Sequence, residues 1–313
     1  MKKKSIFENN VWFIIFATIC TALWGTAFPG VKLGYEWFGI GADATGSKLM
    51  FAGVRFALAG LIVLGVYIIK NRRFPVFTKK EAPAIMALSA VQITGNYFFY
   101  YLGLSVTAGS IASVLNSFDT FCAVLLVPLF FKNDRLTARK LVGCVIGMAG
   151  IVLVNLHAGS QFSFSLNGEG FLLISALIST VGIMINKKAS MTIDPMIVTG
   201  YHLLFGGIIL SVIALAFGGT FSFENAKANL CLVYLALVSA VAFLIWSQLL
   251  KHNPVSKVSV FKLMTPIFGN VFSAIALGED ILDPMHIISV VLVALGIATV
   301  NIETKNGIAD HAV

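Results

Sequence analysis

The sequence predicts an all-α integral membrane protein whose ten transmembrane helices form two inverted five-helix repeats, residues 12–157 and 168–302. Three observations carry this expectation. Hydrophobic residues make up 58% of the 313 positions and charged residues only 12%, a balance that a soluble core of this size does not require. Runs of roughly 20 apolar residues, enough to cross about 30 Å of hydrocarbon, recur along nearly the whole chain. The second half of the chain also aligns on the first.

The runs are 12–34, 48–69, 82–102, 107–131, 138–156, 168–187, 195–217, 229–251, 255–277 and 284–302. Each is continuous, without the short alternating pattern of a barrel strand, so each reads as a helix. The first follows "MKKKSIFENN" and is too long for a signal peptide; no small-residue cleavage site closes it, so we expect it to be retained. Its "WGTAFPG" sets Trp24, Gly25, Pro29 and Gly30 where a helix bends or approaches a neighbour closely. The second run carries Arg55, which, like Lys32 in the first, lies near enough to a span end for a long side chain to reach the headgroups. The third places Gln92, Asn96 and Tyr100 at i, i+4 spacing.

The fourth run holds Asp119, the one acidic residue of fourteen deep inside a span. An ionisable group there costs roughly 2.5–3.5 kcal/mol on the insertion scale and normally faces a partner or a wet cavity. At 100° per residue, Ser113, Asn116, Asp119 and Thr120 share one side. The fifth run follows the basic loop "FKNDRLTARK", and the sixth leads into Lys187 and Lys188. The seventh carries His202, read as an interhelical hydrogen-bonder. The eighth offers Trp246 and Gln248. The ninth sets Lys262 on one side with Ser259, Thr265 and Pro266, and the tenth follows "LGEDILDPMH". Cys20, Cys122, Cys144 and Cys231 fall in or at the edge of spans, in no metal-ligand spacing, and read as small buried hydrophobes.

Residues 97–155 align without a gap on 243–301, at an offset of 146, with eleven identities that include Ser110 with Ser256, Asp134 with Asp280 and Gly150 with Gly296. Five runs per half is an odd number, so the second copy enters the membrane from the opposite side. The charges agree. Of the 22 basic residues, 17 lie at one set of loops and termini: Lys2, Lys3, Lys4, Lys70, Arg72, Arg73, Lys79, Lys80, Lys132, Arg135, Arg139, Lys140, Lys187, Lys188, Lys251, Lys257 and Lys305. The opposite loops carry Lys48 and Lys227 beside Glu36, Asp43, Glu224, Glu279, Asp280 and Asp283. The excess of positive charge places both termini in the cytoplasm of a cell-membrane protein. The net charge of +8 is thereby accounted for by orientation and by anionic membrane lipids, with no nucleic acid as partner.

The residues quoted so far resemble the drug/metabolite transporter superfamily, in particular proteins built from two EamA-type repeats. The likeness is carried by "ALWGTAFPGVKLG" at 22–34, Arg55 in "AGVRFALAG", "LFFKNDRLTARKLVGCVIGMAGIVL" at 129–153 and "TPIFGNVFSAIALGED" at 265–280, and covers about residues 12–302. It implies ten transmembrane helices, cytoplasmic termini and a central cavity lined mainly by spans one, three, four, six, eight and nine. Two positions depart from the pattern: Asn133 stands where the second repeat has Glu279, and Thr120 where it has Pro266.

Inverted repeats point to secondary transport, because two halves that exchange conformations give outward-open and inward-open states of similar energy. We expect a small-molecule substrate, an amino acid or similar solute, moved by alternating access in the export direction, with a channel or lipid scramblase as the alternative. Candidate substrate-binding residues are Trp24, Asn96, Tyr100, Asn116, Asp119, Trp246, Gln248 and Lys262; the plainer alternative for the aromatic members is packing between helices. By the repeat, Lys262 corresponds to Asn116, one turn from Asp119, so the two charges are expected to face each other across a pseudo-two-fold axis. Lys262 then serves as counter-ion to Asp119, as ligand for an anionic group of the solute, or as half of a permanent bridge that fixes register. A carboxylate left unpaired in a low-dielectric site takes up a proton readily, which makes Asp119 the coupling candidate and the proton the candidate coupling ion. No catalytic residue, metal site or cofactor is implied: the five histidines are scattered and neither HExxH nor GxxxxGK[ST] occurs, which excludes the usual membrane enzymes and an ATPase on this chain. The sequence leaves the oligomeric state open.

Overall fold

A computed structural model of the chain describes residues 5–107, 109–132, 134–156, 164–277 and 284–301. Lys2, Lys3, Lys4, Asn133, Glu279, Asp280, Asp283 and Lys305 lie outside the described residues, as do the side chains of Ser110 and Ser113. The described residues contain no strand. The helices in chain order are α1 (Asn10–Trp37), α2 (Thr45–Asn71), α3 (Ala82–Leu88), α4 (Asn96–Leu104), α5 (Gly109–Phe130), α6 (Ala138–Leu156), α7 (Phe171–Thr192), α8 (Pro195–Ala216), α9 (Ala226–His252), α10 (Val255–Ser259), α11 (Met264–Leu277) and α12 (Pro284–Asn301). Two π-helical stretches, Ser89–Gly95 and Leu166–Gly170, join α3 to α4 and lead into α7; a 3₁₀ stretch, Val260–Leu263, joins α10 to α11. Six of the helical segments are long and apolar enough to cross a membrane: Asn10–Trp37, Thr45–Asn71, Leu166–Thr192, Pro195–Ala216, Ala226–His252 and Val255–Ala276.

Local chemistry sets the helix ends. Asn9 accepts from the backbone N–H groups of Val11 and Trp12 at the start of α1, and Asn225 from those of Lys227 and Ala228 at the start of α9. Asp194 accepts from Met196 N at 2.8 Å and is followed by Pro195, which loses nothing in a first turn where N–H groups lack partners. Gly39 and Gly218, at φ 65° and 69°, reverse the chain after α1 and α8 in a region that a Cβ disfavours.

Two departures from straight helices matter for the interior. The expected third run is not one α-helix, because the π-helical Ser89–Gly95 winds its middle more widely. The ninth run tightens to 3₁₀ at Val260–Leu263. Pro266 has no N–H to offer the carbonyl four residues back, which is that of Lys262, and the turn before it tightens so that Met264 N donates to the Phe261 carbonyl. The 100° spacing expected from Ser259 to Thr265 therefore does not hold through this segment.

Packing follows small residues, as it must where lipid tails remove any hydrophobic drive between helices. The most extensive helix pairs are α2 with α8 and α6 with α12, followed by α1 against α11 and α9. At the first pair, backbones meet: a Cβ on Gly60 would strike Leu204 N and Gly200 O, and one on Gly207 would strike Ala57 N and Gly53 O. At the second, Gly143 and Gly296 abut each other in the same manner. On α1, Gly25 admits Phe268 of α11 and Gly30 admits Leu235 of α9, while α7 packs against α5, α4 and α9. Large apolar side chains such as Ile69, Leu129, Leu230 and Ile275 are exposed on the outside, a surface suited to lipid. The four cysteines are free and buried.

Candidate functional site

Asp119 lies halfway along α5 and is 1% exposed. Its Oδ2 accepts from Lys262 Nζ, on the 3₁₀ segment, and from Ser179 Oγ on α7 at 2.8 Å; its Oδ1 accepts from Thr120 Oγ1 at 3.2 Å. The backbones are tied at the same level. Thr180 Oγ1 donates to the Asp119 carbonyl at 3.1 Å, and Thr120 Oγ1 to the Ser259 carbonyl at 3.3 Å. A buried carboxylate is tolerated here because it is both paired and hydrogen-bonded. The two partners differ in access: the Lys262 side chain is 20% exposed and that of Asp119 2%, so Lys262 is the more open member of the pair.

The other expected residues distribute around this centre unevenly. Trp24, half-buried on α1, stands edge-to-face with Trp246 at 5.0 Å and with Phe243 at 5.5 Å, so Trp246 is held in an aromatic cluster and is itself only 3% exposed. Asn116 and Tyr100 are half-buried. Tyr100 packs beside Tyr97 and Tyr101, with ring centroids 6.4 and 5.6 Å away. Tyr97 stands within electrostatic reach of Asp119. Asn96 turns toward α7, where its Oδ1 and carbonyl both accept from Ser175 Oγ. Gln92 likewise lies against Gly182 of α7. The two amides of the i, i+4 stripe of Gln92, Asn96 and Tyr100 thus both serve the α7 interface. Gln248 is two residues from Trp246, some 200° round α9, and is half-buried away from the aromatic cluster.

Ser179 and Thr180 were absent from the sequence expectation, although both touch Asp119. Their only signal was a hydroxyl pair in "ISTVG", which hydropathy scores as nearly neutral. Arg55 also departs from expectation. It does not reach the headgroups: it is 6% exposed, with its guanidinium 4.4 Å from the centroid of Phe56. Lys32 is exposed, as its position suggested. His202 is buried, with Nδ1 2.9 Å from the Val198 carbonyl and its ring against Phe243. Beyond the ion pair, Asn186 links Ser190 and Ser247, and Thr199 donates to Ser247, tying α7, α8 and α9 together. Among the described residues no cluster of His, Cys, Asp and Glu could hold a metal ion.

An all-helical chain with several apolar helices and a lipid-suited exterior is a multi-pass membrane protein. It belongs to the EamA-like transporter family, whose sequence profile matches residues 11–156 and again 166–302, and so to the drug/metabolite transporter superfamily of transporters rather than to any class of enzyme. Among similar proteins, the chloroplastic WAT1-related protein At3g02690 of Arabidopsis thaliana is 24% identical over 293 residues, spanning 90% of this chain and 68% of that one. The uncharacterized transporter YetK of Bacillus subtilis (strain 168) is 23% identical over 283 residues, 85% of this chain and 84% of that one. An uncharacterized transporter of Archaeoglobus fulgidus is 24% identical over 278 residues, 86% and 91% respectively. A crystal structure with 18% sequence identity superposes with a TM-score of 0.76 over 92% of this chain and 95% of the other, a likeness of fold.

Proposed function

We propose that this chain is a secondary transporter that exports a small metabolite, an amino acid or similar solute, across the cell membrane by alternating access. In this reading ten spans form two inverted five-helix repeats, 12–157 and 168–302, with both termini in the cytoplasm. The third span is the α3–π–α4 rod and the ninth the α10–3₁₀–α11 rod. Helix pairing supports the repeat: the largest contacts join second span to seventh (α2 with α8) and fifth to tenth (α6 with α12), each helix meeting its own repeat equivalent. The first span packs on the eighth and ninth as the sixth packs on the third and fourth.

The observation that carries the function is the ion pair. Lys262 belongs to the second repeat and Asp119 to the first, so the pair closes exactly those two spans whose separation would open a path between the repeats. When the spans part, Asp119 loses its cation, and a proton is the small partner able to replace it. Ser179 keeps one hydrogen bond on the carboxylate in either state. Lys262, the more open member, is the one placed to meet solute. Trp24, Tyr97, Tyr100 and Asn116 are the half-buried side chains that would line the path beside it.

Counterflow in proteoliposomes tests this. Preloading the lumen with unlabelled solute should accelerate uptake of the same labelled solute, uptake should saturate, and the Asp119→Asn variant should lose it while remaining monodisperse. Flux that neither saturates nor responds to preloading would mean a channel or scramblase instead.

A further inference from the structure

Arg55 is buried in the membrane-spanning part of α2, and its Nε makes no hydrogen bond. Among the described residues it has no carboxylate partner; Asp119, the carboxylate deep inside a span, is taken by Lys262. Its guanidinium lies over the face of Phe56. A cation kept in such a place without a counter-ion is costly, and a ring face offsets only part of that cost. The surroundings are not apolar, however. Arg55 lies within electrostatic reach of Tyr35 on α1 and of Tyr97 and Tyr100 on α4, and the buried Tyr35 hydroxyl, whose nearest polar neighbour is Tyr101, makes no hydrogen bond of good geometry. A guanidinium N–H and a phenol O–H, neither with a well-formed hydrogen bond, therefore belong to one buried polar group. Tyr97 is within electrostatic reach of both Arg55 and Asp119, which links this group to the ion pair.

We infer that Arg55 and Tyr35 form an anion subsite of the transport path, in which the carboxylate of the carried solute is the missing counter-ion of Arg55. This rests on the transporter reading above and narrows its substrate class to small carboxylates, amino acids included. The planar guanidinium presents parallel N–H donors that match a carboxylate, which a lysine at this position would not do. Tyr35 contributes a further donor from α1, so an occupied subsite would join α1 to α2.

The test uses the full-length protein purified in detergent. Thermal stabilisation is measured with L-leucine, L-phenylalanine, L-threonine and L-glutamine, each beside its carboxamide, and with acetate and benzoate. At least one carboxylate should stabilise the wild type in a concentration-dependent manner, with its amide at least tenfold weaker. Arg55→Gln should weaken that carboxylate at least tenfold, and Arg55→Lys should recover only part. Tyr35→Phe removes a single oxygen; it should weaken the carboxylate a few-fold with the ligand-free melting temperature unchanged, and it carries the test if Arg55→Gln does not fold. Equal stabilisation by acid and amide, wild-type affinity in both Arg55→Gln and Tyr35→Phe, or no stabilisation by any of these carboxylates overturns the subsite. Counterflow on the wild type separates the two levels: flux of solutes lacking a carboxylate would leave the transporter standing without the subsite, and flux of nothing would remove both.

Discussion

Lys262 donates to Asp119 from 143 positions further along the chain, and Ser179 of a third segment donates to the same carboxylate oxygen. Removing one member of a buried pair strands the other, typically at about 3–5 kcal/mol, whereas removing both is often close to neutral. Lys262→Met should therefore destabilise more than Asp119→Asn, because it leaves a buried carboxylate with hydroxyl donors but no cation, while the exposed part of Lys262 can find water. The double variant should regain most of the lost melting temperature yet show no counterflow. Recovery of both stability and flux would reduce the pair to a structural bridge.

If Asp119 exchanges its lysine for a proton during the cycle, an imposed pH gradient should accelerate net flux in wild-type proteoliposomes. Asp119→Asn should abolish that acceleration, and Ser179→Ala should preserve it at a lower rate. An equal response in wild type and Asp119→Asn would assign coupling elsewhere.

Glycines at the two repeat-crossing contacts differ in what a methyl would meet. On Gly60 it meets backbone, Leu204 N and Gly200 O; on Gly147 it meets first the tip of Leu263, a movable group. Gly60→Ala should cost more, about 1–3 kcal/mol for overpacking that cannot relax, and Gly147→Ala under about 1 kcal/mol. Melting temperatures of the two variants check the order.

Asp134, just after α5 and 3% exposed, accepts from Ser256 N at 2.8 Å and from Ser256 Oγ at the start of α10, while Lys140 Nζ approaches at 2.6 Å. This ties the loop of the first half to the segment that carries Lys262. Ser256→Ala should cost about 1 kcal/mol and Asp134→Ala about 3 kcal/mol, since the latter also strands Lys140 and the backbone N–H. Protection of the α10 amides from hydrogen exchange should fall in Asp134→Ala more than in Ser256→Ala.

In the loop before α3, the backbone N–H and hydroxyl of Thr78 hold the Glu81 carboxyl below its ordinary range. A lowered value in the folded state means stabilisation that is present above the unfolded carboxyl value, about 4.3, and lost as pH falls through the folded one. Amide protection at residues 78–81 should hold at neutral pH and fall away in acid as Glu81 is protonated; Glu81→Gln should remove that pH dependence, and Thr78→Val, which keeps the backbone N–H, should only weaken it.

Much of this arrangement was legible because charge is scarce in apolar runs. A lone Asp119 and a lone Lys262 have few alternatives to each other, and the repeat alignment set them on facing segments. Ser179 and Thr180 were not legible, because a hydroxyl in a helix can satisfy itself on its own backbone and so carries no distinctive signature. The π-helical stretch Ser89–Gly95 was not legible either, because nothing in the composition of 82–102 distinguishes a π-helical turn from an α-helical one. Arg55 was misread because snorkelling depends on which way a helix faces, and that is decided by the α2–α8 contact rather than by distance from the end of the run.

The π-helical stretch Ser89–Gly95 has a further consequence, for the angular setting of the tyrosines beyond it. Wider turns absorb residues without advancing the face of the helix as an α-helix would, so α4 is clocked relative to α3 by an amount stored in those turns. Drawing one residue out of the stretch would swing Tyr97, Tyr100 and Tyr101 together by about 100° around the helix axis. A single change of winding there, far smaller than the tilting of a whole helix, would exchange which side chains of α4 the interior meets.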